Sequence, residues 1–295
     1  MTIPSIKSTL ILLFGAALAM LSTLPGCTTN AATGKKQLNL LSRDAEIKLG
    51  ADAAPQLTEG YGGAVSDPQL SAYVTSVGMK LVAQVEGDYG ELPWEFTLVD
   101  STVINAFALP GGKVFVSRGL ADRFTNEAQL AGVLGHEIGH VTAEHADRAM
   151  QRQLLLAGIA VGASTAAGSD QETQIAARAL VTGAGVFALS YDRKQESEAD
   201  KLGMRYMSKA GYDPVGMLQV MEILRDASAE SGGGQPEFLS THPLPESRIQ
   251  RISERLSNGH YNKITGNPDY GFFEARFQRE FLDRVKRLPP AKHGG

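Results

Sequence analysis

The sequence predicts a mainly helical α+β protein in which one small antiparallel sheet sits among long helices. Three short β-rich runs, WEFTLVD, VINAFAL and KVFVS, crowd into residues 94–117. On both sides of them, apolar residues recur at helical spacing. With 43% hydrophobic and 20% charged residues over 295 positions, the chain can bury a full core in one or two domains. A formal net charge of −4 without a dense Lys/Arg stripe offers no footprint for a phosphate backbone, so no nucleic acid is expected as partner.

Taken in order, residues 1–26 read as a secretory signal peptide: Lys7 precedes an apolar run over 10–24 that falls short of the about 20 residues a membrane span needs. Cys27 is the only cysteine, so it has no intramolecular disulfide partner. LPGC, residues 24–27, resembles a bacterial lipobox, which implies acyl chains on Cys27, and Thr28 after it implies sorting to the outer membrane. The alternative is a free thiol beside a conventional cleavage site. A polar stretch makes 27–41 a tether, and the main folded domain is expected over 42–257, with a helical tail over 258–295.

Within that domain Ser42 opens a first helix, and Asp67-Pro68 caps a second one, whose core face carries Leu70, Val74, Val77 and Leu81. The turn Pro110-Gly111-Gly112 joins the last two strands. Asn126 caps a long helix containing GVLGHEIGHVTAEHADR. Two apolar, glycine-rich segments follow within 154–190; buried helices or a lid over a cleft are expected, with membrane insertion as the alternative. A charged helix over 191–211, another Asp-Pro start at Asp213-Pro214 and a flexible loop over 231–235 lead to STHPLPESRIQRISERL. The tail is expected to form one more amphipathic helix.

His136 and His140 are four apart, so both imidazoles lie on one helix face and can reach one ion from rigid backbone. Glu137 sits beside the first, where its carboxylate reaches metal-bound water without ligating; this is the zinc-hydrolase spacing HExxH. Gly135 and Gly139 each cost up to about 1 kcal/mol in a helix, which points to close packing or a nearby ligand. His145 falls nearly opposite His136 round the helix and points away, and Glu144 lies too far from His136. The third ligand therefore has to come from another helix. QESEAD, residues 195–200, offers Glu196 as ligand, with Asp200 one turn on to orient a ligating histidine; a charged, solvated helix face is the other reading.

HEIGHVTAEHADR, LSYDRKQESEAD, the preceding NAFALPGGKVFVSRGL and the later STHPLPESRI together resemble the gluzincin metallopeptidases of the HtpX and CAAX prenyl endopeptidase group, and most closely their soluble periplasmic lipoprotein branch. The resemblance spans residues 38–256. It implies a zincin-like fold and one zinc ion per chain, bound by His136, His140 and Glu196, with Glu137 as general base. It places His242 near the metal, either as a latch on the open coordination position or as a donor to the oxyanion. Arg248 either supports the site or decorates a helix. The implied activity is hydrolysis of misfolded or unassembled envelope proteins in the bacterial periplasm, with a chaperone or assembly factor as the alternative. Asn105, Ala106, Phe107 and Ala108 form a strand suited to receive substrate as an added strand; an ordinary core hairpin is the other reading.

Overall fold

The computed structural model describes residues 27–153, 155, 189–230, 236–243, 246–259 and 261–292. The expected signal peptide, nearly all of the apolar stretch over 154–190 and the glycine-rich loop over 231–235 lie outside the described residues.

The helical expectations hold where the caps are strongest. Ser42 caps α1 (Arg43–Gly60), and Asp67 Oδ1 accepts the Gln69 and Leu70 amides at the start of α2 (Pro68–Val82). Asn126 accepts the Gln129 amide to open α3 (Glu127–Thr142). Asp192 and Gln195 form a reciprocal capping box at α4 (Arg193–Lys209). Then come α5 (Val215–Glu230) and α6 (Glu246–Ser257). Leu70, Val74 and Leu81 of α2, Leu130, Leu134 and Ile138 of α3, and Met217, Val220 and Leu224 of α5 share one core. Every residue of α3 is buried, so the HExxH helix runs through the middle of the domain. Among the described residues no helix is long and apolar enough to cross a membrane.

The small sheet is mixed, where an all-antiparallel one was expected. β4 (Ala106–Leu109) and β5 (Lys113–Ser117) form the expected hairpin, with Gly111 and Gly112 at positive φ in its turn. β3 (Glu95–Val99) pairs parallel with β5, giving the order β3-β5-β4. The chain leaves β3, passes beyond β5 to the edge and returns; β5, reversed relative to β4, runs alongside β3 in the same direction. Sequential strands are neighbours only about two-thirds of the time, and here β3 and β4 are not.

The second difference concerns residues 27–41, expected as a tether. They fold instead into a two-stranded hairpin, β1 (Cys27–Thr29) with β2 (Lys36–Leu38), pinned to the end of α3. Asn30 Nδ2 donates to the Thr142 carbonyl at 2.9 Å and to Tyr89 Oη at 2.7 Å, and the Leu40 and Leu41 amides donate to Asp147. The physical reason is that a helix C-terminus leaves carbonyls unsatisfied, and Asn30 supplies a donor to one of them, while Asp147 takes two amides of the segment in return. The tail also joins the body: it is helical from 274 to 285 through one π-helical turn, and Phe277 and Phe281 enter the main core.

Candidate metal centre

The two glycines in α3 explain how its histidines meet α4. A Cβ on Gly139 would lie 2.9 Å from the Ala199 carbonyl oxygen, and one on Gly135 would lie 3.3 Å from Gly203 Cα. The helices therefore approach almost backbone to backbone, and this contact sets Glu196 and Asp200 against His136 and His140.

His136, His140, Glu196 and His242, all buried, each turn one ligand atom into a common space. His136 Nε2 and His140 Nε2 are 3.0 Å apart; Glu196 Oε1 is 3.3 Å from His140 Nε2, and Glu196 Oε2 is 3.5 Å from His136 Nε2. His242 Nδ1 lies 3.1 Å from Glu196 Oε1 and 3.4 Å from His136 Nε2. Donors placed about 2.0–2.1 Å from a tetrahedral zinc stand roughly 3.3 Å from one another. The four atoms fit that frame, and the nitrogen and carboxylate donors suit zinc.

Asp200 Oδ1 lies 3.0 Å from His136 Nδ1, where it can hold the ring with Nε2 facing the centre. Arg248, left between two readings by the sequence, is wholly buried at the site. Its Nε and Nη2 donate to the two Asp200 oxygens at 3.0 and 2.6 Å, and its Nη1 lies 2.5 Å from Glu196 Oε2. Burial would raise the Glu196 carboxyl, but Arg248 and then His242 hold it well below the usual carboxylate range. Burial also pulls His136 down, yet its bonds to Asp200 and Glu196 outweigh that and bring it to about 9. A metal bound by His136 Nε2 would displace that proton.

Glu137 is buried beside the cluster, and neither of its carboxylate oxygens has a hydrogen-bond partner among the described residues. Burial pushes its carboxyl above the ordinary range, against the pull of His242 and His136. His242 Nε2 is 3.8 Å from Glu137 Oε1. Phe238 stacks on the His242 ring at 4.5 Å, and the Tyr191 ring lies 4.0 Å from that of His140.

His145 corrects the reading from helical geometry. α3 ends at Thr142, and Glu144 adopts a left-handed conformation (φ 54°), with its carboxylate held by Gln37, by Asn39 at 2.7 Å and by Tyr89 Oη at 2.8 Å. That turn swings His145 back, so its Nδ1 lies 2.9 Å from His140 Nδ1 while its Nε2 faces Glu198 at 3.3 Å. Burial lowers His145 to about 4, so at neutral pH it is uncharged. It can then accept the His140 Nδ1–H and pass its own Nε2–H to Glu198. Helical periodicity cannot reveal this partner, because the helix has stopped. Tyr191 likewise carried no signal in the sequence.

β4 is an edge strand of its sheet, but the four residues named for substrate differ in exposure. Asn105 lies just before the strand and bonds Tyr61 and Glu237; Ala106 and Phe107 are buried, and Phe107 stacks on Phe115 at 4.7 Å. Ala108 is half-buried and lines a small cavity together with Leu109, Pro110, His140 and Tyr191. The end of the strand thus reaches the metal cluster. Phe238, four residues before His242, donates its amide to the Ile104 carbonyl at the other end.

Residues 68–256 match the profile of peptidase family M48. The chain is 34% identical over 259 residues to the beta-barrel assembly-enhancing protease of Escherichia coli K12, covering 86% of this chain and 51% of that protein. The protease of the same name from Yersinia pestis is 33% identical over 80% of this chain and 49% of its own length. The mitochondrial metalloendopeptidase OMA1 of Schizosaccharomyces pombe is 32% identical over 237 residues, 80% of this chain and 68% of that protein. The chain spans about half the length of the bacterial relatives. With the profile covering both the HExxH helix and the helix that brings Glu196 to it, the chain belongs to peptidase family M48.

Proposed function

We propose that the chain is a zinc-dependent endopeptidase that hydrolyses misfolded or unassembled proteins of the bacterial envelope. The observation that carries this reading is the convergence of His136, His140 and Glu196 with the unpartnered carboxylate of Glu137 beside them. When bound, zinc supplies Lewis acidity and a water of lowered pKa. Glu137 takes the proton from the attacking water on a carboxylate oxygen and returns it to the leaving amine; its raised pKa suits both halves of that task. Asp200 and His145 fix the two ligating rings from behind, and Arg248 balances the charge of Glu196 and Asp200.

His242 Nδ1, 3.1 Å from Glu196 Oε1 and 3.4 Å from His136 Nε2, would take the fourth corner of the donor frame. A catalytic zinc site keeps one corner open, whereas four protein donors close it. This favours the latch reading: His242 must withdraw before a peptide can enter. Substrate would align along β4, with Ala108 and Leu109 bringing the scissile bond towards His140 and Glu137.

The envelope substrate class is supported by the printed names of the bacterial relatives. The lipobox-like LPGC supports periplasmic anchoring through an acylated Cys27, at the outer membrane by the residue that follows it. Mass spectrometry of the mature N-terminus tests the anchor, and an unmodified N-terminal peptide would reject it. For the activity, Glu137→Gln should retain zinc and lose casein cleavage by about a thousandfold. Cleavage at the parental rate would refute the mechanism, and zinc-independent binding of unfolded protein without cleavage in the parent would leave a chaperone instead.

A further inference from the structure

Round α4 from its metal-facing residues runs a stripe of cations. Arg193, Ser197, Lys201 and Arg205 follow at four-residue spacing, so they share one face of the helix. With Arg251 and Arg255 of α6 they line a cavity of about 420 Å³. Lys35 of the N-terminal hairpin lines it too, and Lys201, Arg251 and Arg255 continue into an adjoining cavity of about 530 Å³. This concentration of positive charge stands out on a chain of net charge −4.

Two acids nearby, one of them in the cavity wall, pair with Lys35 and Arg205 and leave Arg193, Lys201, Arg251 and Arg255 without a carboxylate partner among the described residues. Glu198 is held by Lys35 at 2.6 Å, Arg148 at 2.8 Å and His145 at 3.3 Å. Glu86 binds Arg205 at 2.9 Å and Lys209 at 3.1 Å, while Glu254 accepts from Gln250. The two α6 guanidinium groups reach only hydroxyls, Arg255 to Ser197 at 3.1 Å and Arg251 to Ser247 at 3.2 Å. Arg205 Nε, Arg251 Nε and Arg255 Nη1 are buried and have no hydrogen-bond partner among the described residues. Unpaired charged donors need an acceptor, and the three arginines that carry them line one cavity from two helices.

We infer that this cavity binds a phosphate-bearing anion, with Arg251, Arg255 and Lys201 as its principal cations and Ser197 as a hydroxyl donor. Guanidinium forks match the oxygens of a tetrahedral phosphoryl group. Cations brought to one concavity from two helices and a hairpin suit a compact anion better than an extended acidic peptide. The phosphoryl group can belong to a free phosphate or to a lipid headgroup; the hairpin residues Ala32, Thr33 and Lys35 that line the cavity follow Cys27 within a few positions.

Calorimetric titration of the zinc-loaded full chain at matched ionic strength tests this, with inorganic pyrophosphate and with monomeric dihexanoyl-phosphatidylglycerol as probes. Saturable binding of pyrophosphate assigns a free phosphate compound, and binding of the lipid analogue alone assigns a headgroup. Either should weaken about tenfold or more in Arg251→Gln/Arg255→Gln. Lys201→Gln, a single change at an exposed position, should weaken it in the same direction should the double variant fold poorly. Failure of both probes to bind, undiminished binding in both variants, or tighter binding of a hexaglutamate peptide would overturn the assignment.

Discussion

His145 and His242 sit within 3.5 Å of ligand rings yet act on them in opposite ways. His145 lies behind His140 and fixes which of its nitrogens faces the metal. Partners of this kind typically set metal affinity by about 10–100-fold, so His145→Ala should raise the zinc dissociation constant by that factor in a chelator competition. Unchanged affinity would mean that His140 needs no such orientation. His242 turns its Nδ1 to the other side, 3.4 Å from His136 Nε2, and in the proposed latch reading it covers the corner a substrate needs. His242→Ala should raise the casein cleavage rate several-fold while zinc content stays at one per chain; a large loss of rate would favour oxyanion support instead. The difference between them follows from where each falls in the chain, one after a left-handed turn and the other beyond α4.

At the scale of elements, the site depends on how closely α3 and α4 approach. Gly139→Ala gains up to about 1 kcal/mol of helix propensity. The added methyl, 2.9 Å from the Ala199 carbonyl oxygen and 3.1 Å from its Cα, meets backbone that cannot rotate away. Overpacking of this kind costs about 1–3 kcal/mol, so the net effect in chemical denaturation should be destabilising, with weaker zinc binding because Glu196 is displaced from the two histidines. A more stable variant with normal zinc affinity would show that the helices tolerate separation. The periodicity of α2, α3 and α4 was legible because each has a polar cap followed by apolar repeats. The parallel pairing of β3 with β5 was not, because strand runs in a sequence carry no information on which neighbour they choose.

Across the described residues, an early segment and a late one are both tied to the ends of α3. Asn30, in the N-terminal hairpin, donates to the Thr142 carbonyl at its C-terminus, and at its N-terminus Glu127 accepts Arg276 Nε and Nη2 of the tail, both at 2.5 Å, and Tyr212 Oη at 2.7 Å. Burial would raise the Glu127 carboxyl, but Arg276, Tyr73 and Tyr212 lower it. Its contribution is therefore full at neutral pH, above the ordinary carboxyl range, and is lost as pH falls through the lowered value. Arg276→Ala should cost about 2 kcal/mol at neutral pH, with the difference from the parent shrinking in acid. A pH-independent difference in denaturation midpoint would mean that the arginine acts by packing alone.

HExxH spacing, a carboxylate pair one turn apart and the resemblance carried by the flanking motifs were enough to name His136, Glu137, His140, Glu196 and Asp200 as candidates, because helical repeat decides which side chains share a face, and the structure brings His136, His140 and Glu196 together. What the sequence left open, tertiary contact decided. The burial of Arg248 against two acids, the return of His145 through the turn at Glu144, and the assembly of cations from three separate segments into one cavity all join residues far apart along the chain. Local periodicity has no term for such contacts; they exist only once the backbones have packed.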